Sequence, residues 1–212
     1  MISIDVRLVG EADQERGSAL VHAALRYAER GWPVLPGSVF DGRRYVVAAT
    51  DRVTDGLRPV LPRDQASTAM RTVAQWWTVI TPLVPSVLLR TGSAFDSVSV
   101  SRELAVEAVQ TMAFRAEPGP VILRPDQGRA YFLVGLGESV LPPEGARPTV
   151  VEPVPPGAWL AAPPTRTTVG QVVWLVAPRV AGWAPIRAGV LAEALRVALP
   201  RVESAGWDGA SP

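Results

Sequence analysis

Apolar residues recur along this chain in two periods, and each change of period marks an element. Leu20, Val21, Ala24, Leu25 and Ala28 fall at helical spacing, with Arg26, Glu29 and Arg30 between and after them. That stripe predicts a helix over Ala19–Arg30, with Ser18 as N-cap and Gly31 as its stop. Ahead of it, Ile2, Ile4, Val6 and Leu8 alternate with Ser3, Asp5 and Arg7, which predicts a strand over Met1–Gly10. The polar run Gly10–Gly17 predicts a loop or link. Trp32–Pro36 reads as extended, Tyr45–Ala49 as a strand entered through an Asp41-Gly42 turn, and Ala66–Thr78 as a helix ending in Trp76-Trp77. Val87–Arg90 and Phe95–Val100 predict strands on either side of a Thr91-Gly92 turn. Ser101 then caps a helix to about Phe114, with Glu103 in its first turn. Val121–Arg124 and Ala130–Val134 predict a hairpin around Pro125–Gly128. The proline-rich stretch from Gly135 to Gly157 predicts a crossing loop. Trp159–Ala162 and Gln171–Val176 follow as short strands, and Ile186–Leu199 as the closing helix.

Helices interleaved with strands and hairpins give an α/β (α+β) class. The chain divides into a strand and linker over 1–17, one domain over 18–199 and a frayed tail over 200–212. Its 212 residues, 48% hydrophobic and 19% charged, suffice for a real core. A formal net charge of +1 supplies no global field toward nucleic acid or lipid. The absences change the picture more. There is no cysteine and one histidine, and all 21 basic residues are arginine. Disulfides, thiolate metal sites, the lysine of a Walker phosphate loop and Schiff-base chemistry are therefore excluded. No apolar run approaches a membrane span and no signal-peptide core is visible, so the expectation is a soluble cytoplasmic protein with no membrane partner. The absence of lysine and asparagine beside abundant alanine, arginine and proline points to a GC-rich genome.

Few residues stand out as chemistry. His22 lies within the first helix and reads first as a structural or surface residue. Gly135-Leu136-Gly137 reads as a turn rather than a phosphate cradle. Trp76-Trp77 suits a helix end in the core better than a base-stacking platform. Arg43, Arg44, Arg52, Arg58 and Arg63 form the densest basic group. They are either a solvated loop or a phosphate contact.

Four segments, in order, resemble the N-terminal domain of bifunctional DNA primase/polymerases (prim-pol), within the archaeo-eukaryotic primase superfamily. They are the stretch from Ala24 to Pro36; Trp76-Trp77 with Val87-Leu88-Leu89-Arg90-Thr91-Gly92; Gly128-Arg129-Ala130-Tyr131-Phe132; and Trp159-Leu160-Ala161-Ala162-Pro163-Pro164-Thr165 with Gly170 and Trp174. Thr91–Asp96 and the Ala-Ala-Pro-Pro-Thr segment are most similar to a short actinobacterial branch. The resemblance implies an RRM-like antiparallel sheet containing the five strands from Val87–Arg90 to Trp159–Ala162, with Ala19–Arg30 and Ser101–Phe114 on one face.

The resemblance also implies a polymerase site: an Asp-x-Asp pair, a third acid and a histidine, holding two divalent metals. Here Ser99 and Ser101 stand where the aspartates belong, and Arg129 stands at the histidine. Glu152 is a candidate third acid, and Asp96 is an acid on the same stretch as Ser99. Asp96 and Glu152 are the expected holders of one weak metal site. If 95–100 is one continuous strand, though, Asp96 and Ser99 project from opposite faces.

Two readings follow. The degenerate reading is a binding module for single-stranded DNA, nucleotides or a protein partner in DNA replication or mobile-element biology, with Arg43, Arg44, Arg58, Arg63 and Arg129 as contacts and no cofactor. The active reading is a Mg²⁺-dependent primase/polymerase that uses Asp96, Asp126 and Glu152. A structural domain without a nucleic-acid role is the plain alternative. Trp32, Trp76 and Trp159 are expected to be mostly buried.

Overall fold

Helix formation begins earlier than the hydrophobic pattern predicts. The computed structural model describes residues 6–78, 83–143 and 150–204, and Val6–Glu29 is one helix, α1. The strand expected over Met1–Gly10 and the loop over Gly10–Gly17 are thus overturned from Val6 onward, and residues 1–5 lie outside the described residues. Glu11, Ala12, Gln14, Glu15 and Arg16 are intrinsic helix formers. Gly17 sits inside the helix because a Cβ there would lie 2.8 Å from Val84 Cγ2. Ser18 is not an N-cap; its hydroxyl lies 3.3 Å from His22 Nδ1, one turn on.

After Gly31, Val34–Gly37 forms β1. Val39–Phe40 (β2), Tyr45–Val46 (β3) and Val53–Thr54 (β4) make a small antiparallel sheet. The strand expected over Tyr45–Ala49 shortens to its first two residues. Met70–Trp77 is α2, and Ser86–Arg90 is β5. Asp96–Ser101 is β6, and the helix expected from Ser101 divides into α3 (Arg102–Ala108) and α4 (Met112–Ala116). Ser101 does cap α3, its hydroxyl accepting from the Leu104 N–H at 3.3 Å. Thr111 causes the division. Its hydroxyl donates to Ala108 O at 2.7 Å and accepts from the Phe114 N–H, so it ends one helix and caps the next.

Val121–Arg124 (β7) and Arg129–Val134 (β8) form the expected hairpin. The proline-rich stretch carries a strand the sequence pattern hides, β9 at Val151–Val154. Pro153 is tolerated because β9 is an edge strand, where a missing N–H interrupts no second ladder. Trp159–Ala161 is β10 and Val173–Val176 is β11. Ala188–Ser204 is α5, so the tail expected from residue 200 is helical to Ser204, and residues 205–212 lie outside the described residues.

The strands form three antiparallel sheets, in the orders β1-β5-β10, β11-β7-β8-β6-β9 and β2-β3-β4. The α/β class and single domain stand, but the one-sheet arrangement is corrected. Val87–Arg90 and Trp159–Ala162 belong to the three-stranded sheet, and the other three expected strands to the five-stranded one. The two expected covering helices are likewise divided between two cores. Val98, Val100, Phe132 and Val134 pack beneath α3, α4 and α5. Ile122 and Leu133, from the opposite face of the same sheet, join α1, α2 and the three-stranded sheet.

The motif residues act as fasteners between these layers. Thr91 Oγ1 donates to Pro155 O at 2.8 Å. Gly92 adopts φ +81°, where a Cβ would meet Pro156 at 2.8 Å. Together they tie the β5–β6 turn to the segment after β9. Thr165, fully buried, accepts from the Val87 N–H at 3.0 Å and donates back to Val87 O.

Trp32 is 3% exposed, stacked on Tyr27 and edge-on to Phe95. Trp76 and Trp159 are half-buried against the same core, whereas Trp77 is buried, its Nε1 donating to Pro85 O at 2.9 Å. Trp32→Ala is expected to cost about 3–5 kcal/mol in denaturant unfolding, whereas Met112→Ala, at an exposed helix position, stays within about 0.5 kcal/mol.

Candidate functional site

Side-chain alternation along β6 decides what can meet at this site. Val98 and Val100 point into the helical layer, so Ser97, Ser99 and Ser101 take the opposite face. Register then selects their neighbours. Ser99 pairs with Tyr131 on β8 and with Glu152 on β9, Ser101 pairs with Arg129, and Arg129 in turn pairs with Arg124 on β7. These residues therefore share one face of the sheet. Ser99, Tyr131, Glu152, Arg124, Gln127 and Trp159 line a depression of about 290 Å³ there.

Arg129 organises one side of it. Its Nε donates to Ser99 Oγ at 2.8 Å and its Nη2 to Ser99 O at 3.1 Å, while Nη2 lies 3.3 Å from Glu152 Oε2. The neighbouring Arg124 is nearly buried and forms a two-pronged pair with Asp126 at 3.1 and 2.6 Å. Tyr131 OH donates to Gln127 Oε1 at 2.5 Å. Burial pushes the Tyr131 phenol above its ordinary value of 10.0, against the opposing pull of Arg124, a hydrogen bond from Ser99, and Arg129.

The acids do not converge. Asp96 lies an odd number of residues from Ser99 and so faces away from Glu152. Its Oδ2 accepts from the Gly137 N–H at 2.8 Å, which makes Gly135-Leu136-Gly137 a carboxylate-capped turn. Asp126 is held by Arg124, and Glu152 by Arg129. Among the described residues no three His, Cys, Asp or Glu side chains come together as a metal set. The strand's two-residue period turns Asp96 away from Glu152, and Asp126, in the β7–β8 turn, is closed on Arg124. The donor set also fits a divalent cation poorly: two neutral hydroxyls, one carboxylate and a guanidinium. Ser101 is committed to the α3 cap.

The other basic candidates lie elsewhere. Arg43 and Arg44 sit in the β2–β3 turn, where their N–H groups bond Asp41 Oδ1 and hold its carboxyl below the usual range. Arg58 follows β4, with a side chain 3.7 Å from Asp55, and Arg63 lies in a 3-10 turn. All four are exposed. Burial raises the phenol of Tyr45 on β3, with the Asp126 charge adding to the rise. Arg124, Gln127 and Tyr131 escaped the sequence reading as site residues. Their shared face follows from the β7–β8 hairpin register, which alternation in each strand hints at but does not fix.

A family model described as the N-terminal domain of bifunctional DNA primase/polymerase matches residues 24–188. The chain belongs to this family. The match runs from within α1 to the first residue of α5, so the prim-pol domain includes every described strand. No curated protein and no solved structure matches the chain. No described helix is long and apolar enough to cross a membrane.

Because the folded-state value of Tyr131 lies above the unfolded one, its contribution to stability is complete below about pH 10 and is lost as pH rises through the folded-state value. Tyr131→Phe is expected to reduce the loss of melting temperature measured across that pH, and Arg129→Ala, which removes a favourable cation, to move the Tyr131 ultraviolet titration still higher.

Proposed function

We propose that this prim-pol domain works as a binding module without polymerase chemistry, engaging nucleic acid, nucleotide or a partner protein in DNA replication or mobile-element biology in an actinobacterial cytoplasm. The observation that carries this reading is the Arg129 guanidinium seated on Ser99 and Glu152, at the positions where the family places its metal-binding acids. At an effective dielectric near 20, a doubly charged ion about 4 Å from a guanidinium is opposed by about 8 kcal/mol. The single Glu152 carboxylate, already paired, does not offset that.

Binding runs through the exposed Arg43, Arg44, Arg58 and Arg63 on and beside the small sheet, and through Arg129 beside Ser99. Phosphates displace counterions from such a surface, so affinity falls with salt. Arg43→Ala with Arg44→Ala is expected to reduce the log–log salt slope for single-stranded DNA by roughly 1.4, measured by fluorescence anisotropy. No binding even at low salt would move the reading to a protein partner.

Mg²⁺-dependent primer synthesis on single-stranded DNA is expected to be absent. Robust synthesis by the unmodified protein, abolished by Glu152→Ala, would overturn the proposal. Ser99→Asp alone is expected to pair with Arg129 and leave Mg²⁺ affinity unchanged. Ser99→Asp and Ser101→Asp combined with Arg129→Ala should raise it, as read by calorimetry.

A further inference from the structure

A second cavity, of about 810 Å³, opens along α1 toward the turn at 178–183, and none of the residues that line it lines the depression at Ser99. Tyr27, Trp174, Trp183 and Met70 supply its apolar surface, and Arg26 and Arg179 its cations. The aromatic wall is fixed by hydrogen bonds. Trp174 Nε1 donates to Tyr27 OH at 3.1 Å, and Tyr27 OH donates to Pro163 O at 2.7 Å. Trp183 is held in a conformation that costs energy. Its φ is +67°, a region bulky residues avoid, and its N–H donates to Pro178 O at 2.8 Å. The Arg30 guanidinium lies 5.1 Å from the Trp183 ring centre, and the Trp32 ring lies 5.2 Å from it.

Arg26 and Arg179 are exposed and form no ion pair among the described residues. Glu29 is the one acid among the lining residues, and His22, bonded to Ser18, is the remaining titratable group besides Tyr27. Two unpaired guanidiniums beside fixed aromatic surfaces suit a ligand that is planar at one end and anionic at the other. The volume is that of a small-molecule site, sufficient for a nucleotide unit and too small to seat a folded partner.

We propose that this cavity is an accessory nucleotide site, with a base against Trp174 and Trp183 and a phosphate on Arg26 and Arg179. It stands independently of what the Arg43–Arg44 surface binds. The nucleotide unit is either free or part of a single strand, and two probes separate these sources: dAMP and an oligothymidylate. Saturable quenching of tryptophan fluorescence is expected with one or both at low salt, dAMP binding marking a free nucleotide and binding of the oligothymidylate alone marking a strand. Arg26→Ala with Arg179→Ala should weaken it by at least about tenfold, the loss expected for hydrogen bonds to a charged group. Arg115→Ala, at an exposed position of α4 that lines neither cavity, should bind the nucleotide probe unchanged. The surface proposed above is read by its salt slope for single-stranded DNA and this cavity by tryptophan quenching with dAMP, so the two failures are distinguishable. Deoxyadenosine and inorganic phosphate should each bind at least about tenfold more weakly than the nucleotide probe. The proposal is overturned by the absence of saturable binding of both nucleotide probes. It is equally overturned by unchanged affinity in a folded Arg26→Ala, Arg179→Ala variant, or by inorganic phosphate binding as tightly as the nucleotide. Capture of an acidic peptide in place of either nucleotide would also overturn it.

Discussion

The two-residue period of β6 is the constraint on which the rest of the site depends. Once Val98 and Val100 are committed to the helical core, Ser97, Ser99 and Ser101 must face the other way, and Asp96 must face with the valines. A slip by one residue would bury the serine hydroxyls in the helical core and turn Val98 and Val100 onto the buried face that holds Arg129, removing apolar side chains from the core beneath α3. The β6–β8 and β6–β9 registers are therefore strongly specified. They bring Arg129, Tyr131 and Glu152 to Ser99 and carry Asp96 away from Glu152.

On that face the charges are organised in pairs. Arg129 is shared between Ser99 and Glu152, and Arg124 is closed on Asp126 in a nearly buried pair. Glu152 is half exposed, so its pair with Arg129 contributes at most about 1 kcal/mol to stability. Its consequence is chemical rather than energetic: the face is electrically balanced where a two-metal centre needs a strong negative field. Exposed arginines instead lie on the outer surfaces, Arg43, Arg44, Arg58 and Arg63 at and beside the small sheet and Arg26 on α1.

Several features were legible because they are local. The Thr91-Gly92 turn, the Ser101 cap, the β7–β8 hairpin and the order of the four motif segments all depend on residues close in sequence, and they led to the family that residues 24–188 match. Other features were hidden because a tertiary partner overrode the local signal. The polar run Gly10–Gly17 reads as a loop, yet it lies within α1, and Gly17 sits where Val84 approaches the helix. The proline-rich stretch from Gly135 to Gly157 reads as a crossing loop, yet it carries β9, where an edge position leaves the missing N–H of Pro153 harmless.

The sequence by itself determined the chemistry available: no cysteine or lysine, serines at 97, 99 and 101, and an arginine at 129. It also determined that Asp96 and Ser99 oppose one another on any continuous strand, since side-chain direction is a property of the backbone alone. Only the tertiary structure decided which partners those residues acquire. Arg129 meets Ser99 and Glu152, and Arg26 shares a cavity with Arg179, because strand register and helix docking are set by burial of apolar surface contributed from across the chain, which no local window contains.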